Sequence, residues 1–301
     1  MQRTLLTTLV LGFSAVTALA QTNALQLPPI AEGPFKADWN LLTNYQSALE
    51  WFRDAKFVLF TGLALVLAGC ASSPEIHKGL TTTTPVTQNR DYAIYDWQTR
   101  HADVIEFNRT HQPEIVLIGD SIIHYWGGEP VAPKAWAADV WNRTFAGRSV
   151  ENLGFGWDRT ENVLWRINHG EMDGISPKLI IIKIGTNNTD INGADDIVDG
   201  IEAVYVRVHE VQPRAKILLL GILPRRDEVP PRPVITDRVN QLLQTKLGKI
   251  SWIYYRDFGP AFRNLDGSVN AALFSDGVHP NHVGYELLGN LLHEQIVQIL
   301  N

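Results

Sequence analysis

Cysteine occurs once in the 301 residues, at Cys70, which excludes an intramolecular disulfide framework and any site built from several thiolates. Basic residues are outnumbered, 26 Lys and Arg against 32 Asp and Glu, for a net charge of −6. That balance argues against nucleic acid as a partner, because phosphate contacts need a basic surface. No apolar run reaches the ~20 residues that a spanning helix requires. The nine histidines lack metal-ligand spacing such as His-x-x-x-His, so no metal site is expected and no cofactor motif is present. There is no internal repeat and no Gly-x-Ser-x-Gly elbow, which disfavours the α/β-hydrolase superfamily proper. What the chain does have is a 45% apolar and 9% aromatic composition, enough to bury a sizeable globular core.

The organisation is read as three parts. Residues 1–70 form a leader region. Met1 to Ala20 has an early Arg3, an apolar centre and a small-residue exit at Ala18-Leu19-Ala20, the pattern of a secretory signal. A second signal-like stretch, Val58 to Gly69, runs into Leu67-Ala68-Gly69-Cys70 and resembles the lipobox of bacterial lipoproteins. Lipid on Cys70 would anchor the protein to a membrane face without spanning it. An exported location follows: periplasmic, membrane-anchored or secreted. Between the two signals, residues 35–57 resemble the start of bacterial α-L-fucosidases without their catalytic barrel. Residues 71–90, rich in Thr, Ser and Pro, read as a flexible tether. Residues 91–301 read as the working domain.

In that domain, apolar runs alternate with amphipathic stretches. Strands are expected at Ile115–Ile118, Val150–Leu153, Lys178–Ile184, Lys216–Ile222 and Ile250–Tyr255. Helices are expected at Trp97–Asn108, around Lys134–Asn142, and over Arg159–Asn168, Ala194–Val211, Ile235–Leu247 and His282–Leu300. Near-continuous Val/Ile/Leu runs are the mark of strands buried on both faces of a parallel sheet. The pattern predicts a three-layer α/β sandwich on a five-stranded parallel sheet of flavodoxin-like order, with chemistry at the strand carboxyl ends.

The most informative residue is Ser121, where the run Ile115-Val116-Leu117-Ile118 stops at Gly119-Asp120-Ser121. An acyl-transfer serine needs a base, an orienting group and oxyanion donors. His279 is the candidate base, because imidazole can shuttle a proton near neutrality. Asp276, three residues earlier, is the candidate orienting group. The Ser121 backbone N–H, Gly154 after the second strand and the Asn187 side-chain amide are the candidate oxyanion donors. Trp126 and Trp157, close behind the catalytic segments, are candidates for a flat wall facing a sugar ring.

Gly119-Asp120-Ser121, Gly154, Gly185-x-Asn187 and Asp276-x-x-His279 together resemble the four blocks of the GDSL or SGNH hydrolases, over about residues 113–300. Within that family the nearest resemblance is to the catalytic subunits of the intracellular platelet-activating-factor acetylhydrolases and their bacterial relatives. The cues are Val163-Leu164-Trp165-Arg166 followed by Gly170-Glu171, then Gly200-Ile201-Glu202-Ala203 and Leu223-Pro224-Arg225. The resemblance implies the sandwich fold, a triad of Ser121, Asp276 and His279, and the three oxyanion donors. The sequence departs from the pattern in the second block, where Phe155-Gly156-Trp157-Asp158 carries a tryptophan. The expected activity is removal of short acyl groups, acetyl above all, from acetylated carbohydrate or another small ester. The alternatives are a lipid esterase and a non-catalytic glycan-binding lipoprotein.

Overall fold

A computed structural model of the chain describes residues 82–226, 232–248 and 250–301. Both signal-like segments, the fucosidase-like stretch and Cys70 lie outside the described residues. Five parallel strands form the sheet: β1 (Ile115–Gly119), β2 (Val150–Gly154), β3 (Leu179–Lys183), β4 (Lys216–Leu220) and β5 (Ile253–Arg256), in the order β2-β1-β3-β4-β5. This is the doubly wound, flavodoxin-like order expected from the alternation. The helices are α1 (Trp97–Asn108), α2 (Ser121–His124), α3 (Ala138–Thr144), α4 (Thr160–Asn168), α5 (Ala194–Val211), α6 (Arg232–Leu247) and α7 (His282–Leu300).

The period-two side-chain alternation of each strand divides the core into two layers. Val116, Ile118, Ile180, Ile182, Ile217 and Leu219 pack with residues of α1, α4, α5 and α6. Ile115, Leu117, Ile181 and Leu218 face the other way, onto α2, α3 and α7. Because both faces are covered, the strands read as continuous apolar runs rather than alternating ones. The register pairs Gly119 with Gly154 and Lys183, so the ends of β1, β2 and β3 deliver their loops to one edge.

The expected tether is corrected over its second half. Thr82 and Gln88 are buried, and residues 82–90 are hydrogen-bonded into the domain. Thr82 Oγ1 donates to the Asp196 carbonyl, and the Thr82 carbonyl accepts from Thr160 Oγ1. Val86 exchanges bonds with Glu161 and Asn162. Composition misled here because the anchoring is polar: Thr and Gln contribute hydrogen bonds to α5, α4 and the turn before α4, which no apolar periodicity signals.

One buried acid on β2 makes the fold sensitive to pH. Glu151 is fully buried, and neither carboxylate oxygen has a hydrogen-bond partner among the described residues. Burial, reinforced by Glu171, raises its pKa from 4.5 to about 8. A carboxyl whose folded pKa lies above its unfolded value loses stability as pH rises between the two. Glu151→Gln should therefore raise the melting temperature at pH 8 and change it little at pH 4.5. Equal shifts at both pH values would contradict a titrating Glu151.

Candidate active site

Asp120 ends β1 and opens α2. Its Oδ1 caps the short helix by accepting from the Ile122 N–H at 3.0 Å. Its other oxygen lies 3.7 Å from Lys183 Nζ, a fully buried cation on β3. The pair ties the turn bearing Ser121 to the neighbouring strand. Burial lowers the Lys183 pKa, against the attraction of Asp120.

Ser121 Oγ is 2.8 Å from His279 Nε2, and His279 Nδ1 is 2.6 Å from Asp276 Oδ2. The residues lie 158 positions apart in sequence and are joined by the topology alone. Asp276 Oδ1 accepts from the backbone N–H groups of Val278 and His279, at 3.0 and 2.9 Å. Partial burial would raise the Asp276 pKa. The His279 and Val278 N–H groups and the His279 ring outweigh it, and the carboxyl lies below its ordinary value. An ionised Asp276 accepts the Nδ1 proton, which leaves Nε2 as the acceptor facing the serine hydroxyl. The loop turns back between the two at Gly277, whose φ of 90° is in the left-handed region, where a glycine costs least. The Trp136 and His279 rings pack in a T-shaped arrangement with centroids 5.0 Å apart.

The turn after β2 changes the expected set of oxyanion donors. The Gly154 N–H is already taken, by Asn152 Oδ1 at 2.8 Å. Phe155 donates to the Gly119 carbonyl, Gly156 to His124 Nδ1 and Asp158 to the Phe155 carbonyl. In this stretch only the Trp157 N–H has no partner among the described residues. Trp157 has φ 62°, the one positive φ outside glycine among the described residues, a conformation that costs an L-residue roughly 1–2 kcal/mol. Gly154 is needed for a different reason. A Cβ there would lie 2.2 Å from the His124 backbone nitrogen and 2.7 Å from its Cα. Glycine thus lets β2 and α2 approach closely. Gly154→Ala must push α2 and Ser121 aside, and such overpacking costs typically ~1–3 kcal/mol. Thermal unfolding and ester turnover should both fall, and an unchanged melting curve would contradict the close approach.

The Ser121 N–H, at the first position of α2, likewise has no partner among the described residues. Asn187 stands in the turn after β3. One hydrogen of its side-chain amide goes to the Asp158 carbonyl at 2.9 Å, and the Asn187 main-chain carbonyl accepts from Arg159 Nε at 3.1 Å. Asn187 is therefore locked to the Trp157–Asp158 turn with one amide hydrogen remaining. The neighbouring Asn188 is a fastener: its Oδ1 accepts from the Thr160 N–H and its Nδ2 donates to Glu161.

Of the two proposed wall residues, Trp126 is corrected. It is 0% exposed and packs among Trp141, Phe145 and Tyr285 in the core. Trp157 is 43% exposed and Trp136 36%. Trp136 is not among the residues that the sequence singles out, because no local pattern distinguishes it from the buried tryptophans. It reaches His279 because the Trp136 backbone N–H donates to the Tyr125 carbonyl, which folds the loop back over α2. His124 was also missed. Burial, then Arg100 and Arg166, hold its pKa well below the ordinary value. The neutral ring accepts the Gly156 N–H at Nδ1.

An α/β sandwich with a Ser-His-Asp cluster at the carboxyl edge of its sheet defines a serine-hydrolase type of site. Residues 117–287 match the GDSL-like Lipase/Acylhydrolase family, and the chain belongs to that family of ester hydrolases. It is 32% identical over 204 residues to the platelet-activating factor acetylhydrolase IB subunit alpha2 of Rattus norvegicus, covering 68% of this chain and 85% of that protein. The alpha1 subunit of Bos taurus is 30% identical over 204 residues, with 68% and 84% covered. Among solved structures, a GDSL-like lipase from Bacteroides thetaiotaomicron superposes with a TM-score of 0.52 at 19% identity, over 67% of this chain and 96% of that one. A member of the lipolytic G-D-S-L family from Veillonella parvula gives 0.51 at 17% identity, over 61% and 97%. At those identities the likeness is one of fold.

Proposed function

We propose that this chain is an exported serine esterase that removes acetyl groups from acetylated carbohydrate through an acyl-enzyme on Ser121. The observation that carries the mechanism is the 2.8 Å contact of Ser121 Oγ with His279 Nε2. His279 takes the serine proton as Oγ attacks the ester carbonyl, and Asp276 stabilises the imidazolium that forms. The negative charge on the tetrahedral oxygen meets the N–H groups of Ser121 and Trp157 and the remaining amide hydrogen of Asn187. His279 then protonates the leaving alcohol. A water activated in the same way releases the acid and restores the serine.

Acetyl is favoured as the acyl group because the relatives at about 30% identity are named as acetylhydrolases. Carbohydrate is favoured as the alcohol by two half-exposed tryptophans, Trp136 against His279 and Trp157 in the oxyanion turn, which offer flat apolar faces to a sugar ring. The signal-like leader agrees with a substrate outside the cytoplasm. Lipid on Cys70 would hold the enzyme at a membrane face. Labelling by a radioactive fatty acid should disappear in Cys70→Ala, and label that persists would remove Cys70 as the anchor.

A para-nitrophenyl ester series tests the acyl group. Each further methylene gains ~0.8 kcal/mol if there is room for it, whereas overpacking costs ~1–3 kcal/mol. Clash should win beside Trp136 and Trp157, so kcat/KM should fall from acetyl to butyryl and be lowest for octanoyl. Activity rising with chain length would replace this reading with a lipid esterase. Acetate release from acetylated xylo-oligosaccharides but not from an acetylated glycerophospholipid is expected, and the reverse preference would reject the carbohydrate assignment.

A further inference from the structure

We propose that Gln88 and Tyr95, on the segment leading into α1, are positioning residues that aim the Trp157 N–H into the oxyanion site by holding the Gly156 carbonyl. The proposal rests on the reading of Ser121 as the nucleophile.

The Gly156 carbonyl and the Trp157 N–H belong to one peptide unit. A peptide is planar, and in the trans form its C=O and N–H point in opposite directions. The bond is trans, since the one cis peptide among the described residues is Glu129-Pro130. Whatever fixes the carbonyl therefore fixes the N–H. Gln88 Nε2 donates to the Gly156 carbonyl at 3.0 Å and the Tyr95 hydroxyl donates to it at 2.9 Å. Two donors on one oxygen also polarise the peptide and strengthen its N–H as a donor.

The surrounding bonds leave this peptide little freedom to flip. On one side, His124 Nδ1 accepts the Gly156 N–H at 3.0 Å. On the other, Arg90 Nη2 donates to the Trp157 carbonyl at 2.9 Å. Gln88 is itself oriented: its Oε1 accepts the Arg90 N–H at 2.6 Å, and its Nε2 also reaches Asp158 Oδ1 at 3.1 Å. Tyr95 stays a donor, because burial and then Asp158 push its phenol well above the ordinary range. A glycine would tolerate several conformations here, but Trp157 at φ 62° is strained and persists only if its neighbours over-determine it. The anchors on both carbonyls come from residues 88–95, upstream of the region that matches the family. The strap that composition presents as a tether is thereby a working part of the site.

Tyr95→Phe and Gln88→Met each remove one donor from Gly156, and the double variant removes both. Deleting a whole oxyanion donor typically lowers turnover ~10²–10³-fold; loosening one should lower kcat by about 10–100-fold in the double variant, with KM within about 2-fold. Binding of an alkylboronic acid should weaken in parallel. Its boron accepts the Ser121 Oγ lone pair, the hydroxyl proton passes to His279, and a boron-bound oxygen occupies the oxyanion site. Gln88→Glu keeps the oxygen that accepts from Arg90 but turns an acceptor on Gly156, so it should be at least as damaging as Gln88→Met. Should the double variant melt early, Tyr95→Phe alone carries the test, with about a 2–10-fold loss of kcat.

A folded double variant with wild-type kcat and boronate affinity would overturn the proposal, as would a change confined to KM. If the wild type hydrolyses no ester, the esterase reading fails separately. The Trp157 amide resonance then decides the positioning alone: a single sharp peak in the wild type should broaden or split in the double variant, and an unmoved peak would reject it.

Discussion

Replacing Ser121 by alanine should lower kcat for acetyl ester hydrolysis by roughly 10⁴–10⁶-fold, because nucleophile, base and orienting carboxylate act as a unit. Among the described residues the hydroxyl makes one side-chain bond, to His279 Nε2, and the other nitrogen of that ring is held by Asp276. Its removal leaves the oxyanion donors intact, so a residual rate above that of water should survive. Stability should change little. Deleting one oxygen opens no cavity of consequence, and His279 remains partly open to solvent and can hydrogen-bond to water. The measurement is the pre-steady-state burst of para-nitrophenol together with the melting temperature. A well-folded Ser121→Ala protein with turnover near wild type would reject the mechanism outright.

The largest effect on stability is expected from Arg166. Its guanidinium is fully buried on α4, with Nε donating to Asp158 Oδ2 at 2.8 Å and Nη1 to the Glu171 carboxylate. The same guanidinium lies over the Phe155 ring, 3.9 Å from its centroid. Burial pushes the carboxyls of Asp158 and Glu171 up, against the attraction of Arg166. Removing the cation leaves both acids buried without their counter-ion, a loss of about 3–5 kcal/mol. For a domain of this size each kcal/mol moves the melting temperature by roughly 2–4 °C, so Arg166→Met should melt on the order of 10 °C lower. Activity should fall as well, because the Asp158 carbonyl accepts the Asn187 amide and the Asp158 carboxylate accepts from Gln88. A melting temperature within 2 °C of wild type, by the same conversion, would show that the ion triad contributes almost nothing.

The sequence by itself determined the scaffold and pointed to the three residues, Ser121, His279 and Asp276, that the structure brings within hydrogen-bond distance of one another. Short β-branched runs such as Leu179–Lys183 favour strand over helix and, being apolar on both faces, are buried between two helical layers, so strand count, alternation and sheet class follow from local pattern. Ser121 and the Asp276–His279 pair were legible for a related reason: each sits where a strand or loop must end, and their side-chain chemistry has few other uses in that combination. The turn after β2 was not legible at the level of atoms. A glycine in a motif invites the reading that its N–H faces substrate, yet Gly154 is occupied by Asn152 and packed on His124, and the open N–H belongs to Trp157 three residues on. Which N–H remains free depends on bonds to Gly119, His124 and Asn152, and those reach across two strands and a helix.

The tryptophans divide on the same principle. Trp126 and Trp136 have similar chemistry and lie ten residues apart, but Trp126 falls beneath α7 against Tyr285 while Trp136 rests on His279. Burial of a large side chain is set by what folds over it from elsewhere in the chain, and periodicity within ten residues carries no record of that. Polar anchoring hid residues 82–95 in the same way. Thr82, Gln88, Arg90 and Tyr95 each donate to a backbone carbonyl more than sixty residues away. Such bonds leave no hydrophobic pattern, and only the tertiary structure brings those residues against the Gly156–Trp157 turn and helices α4 and α5.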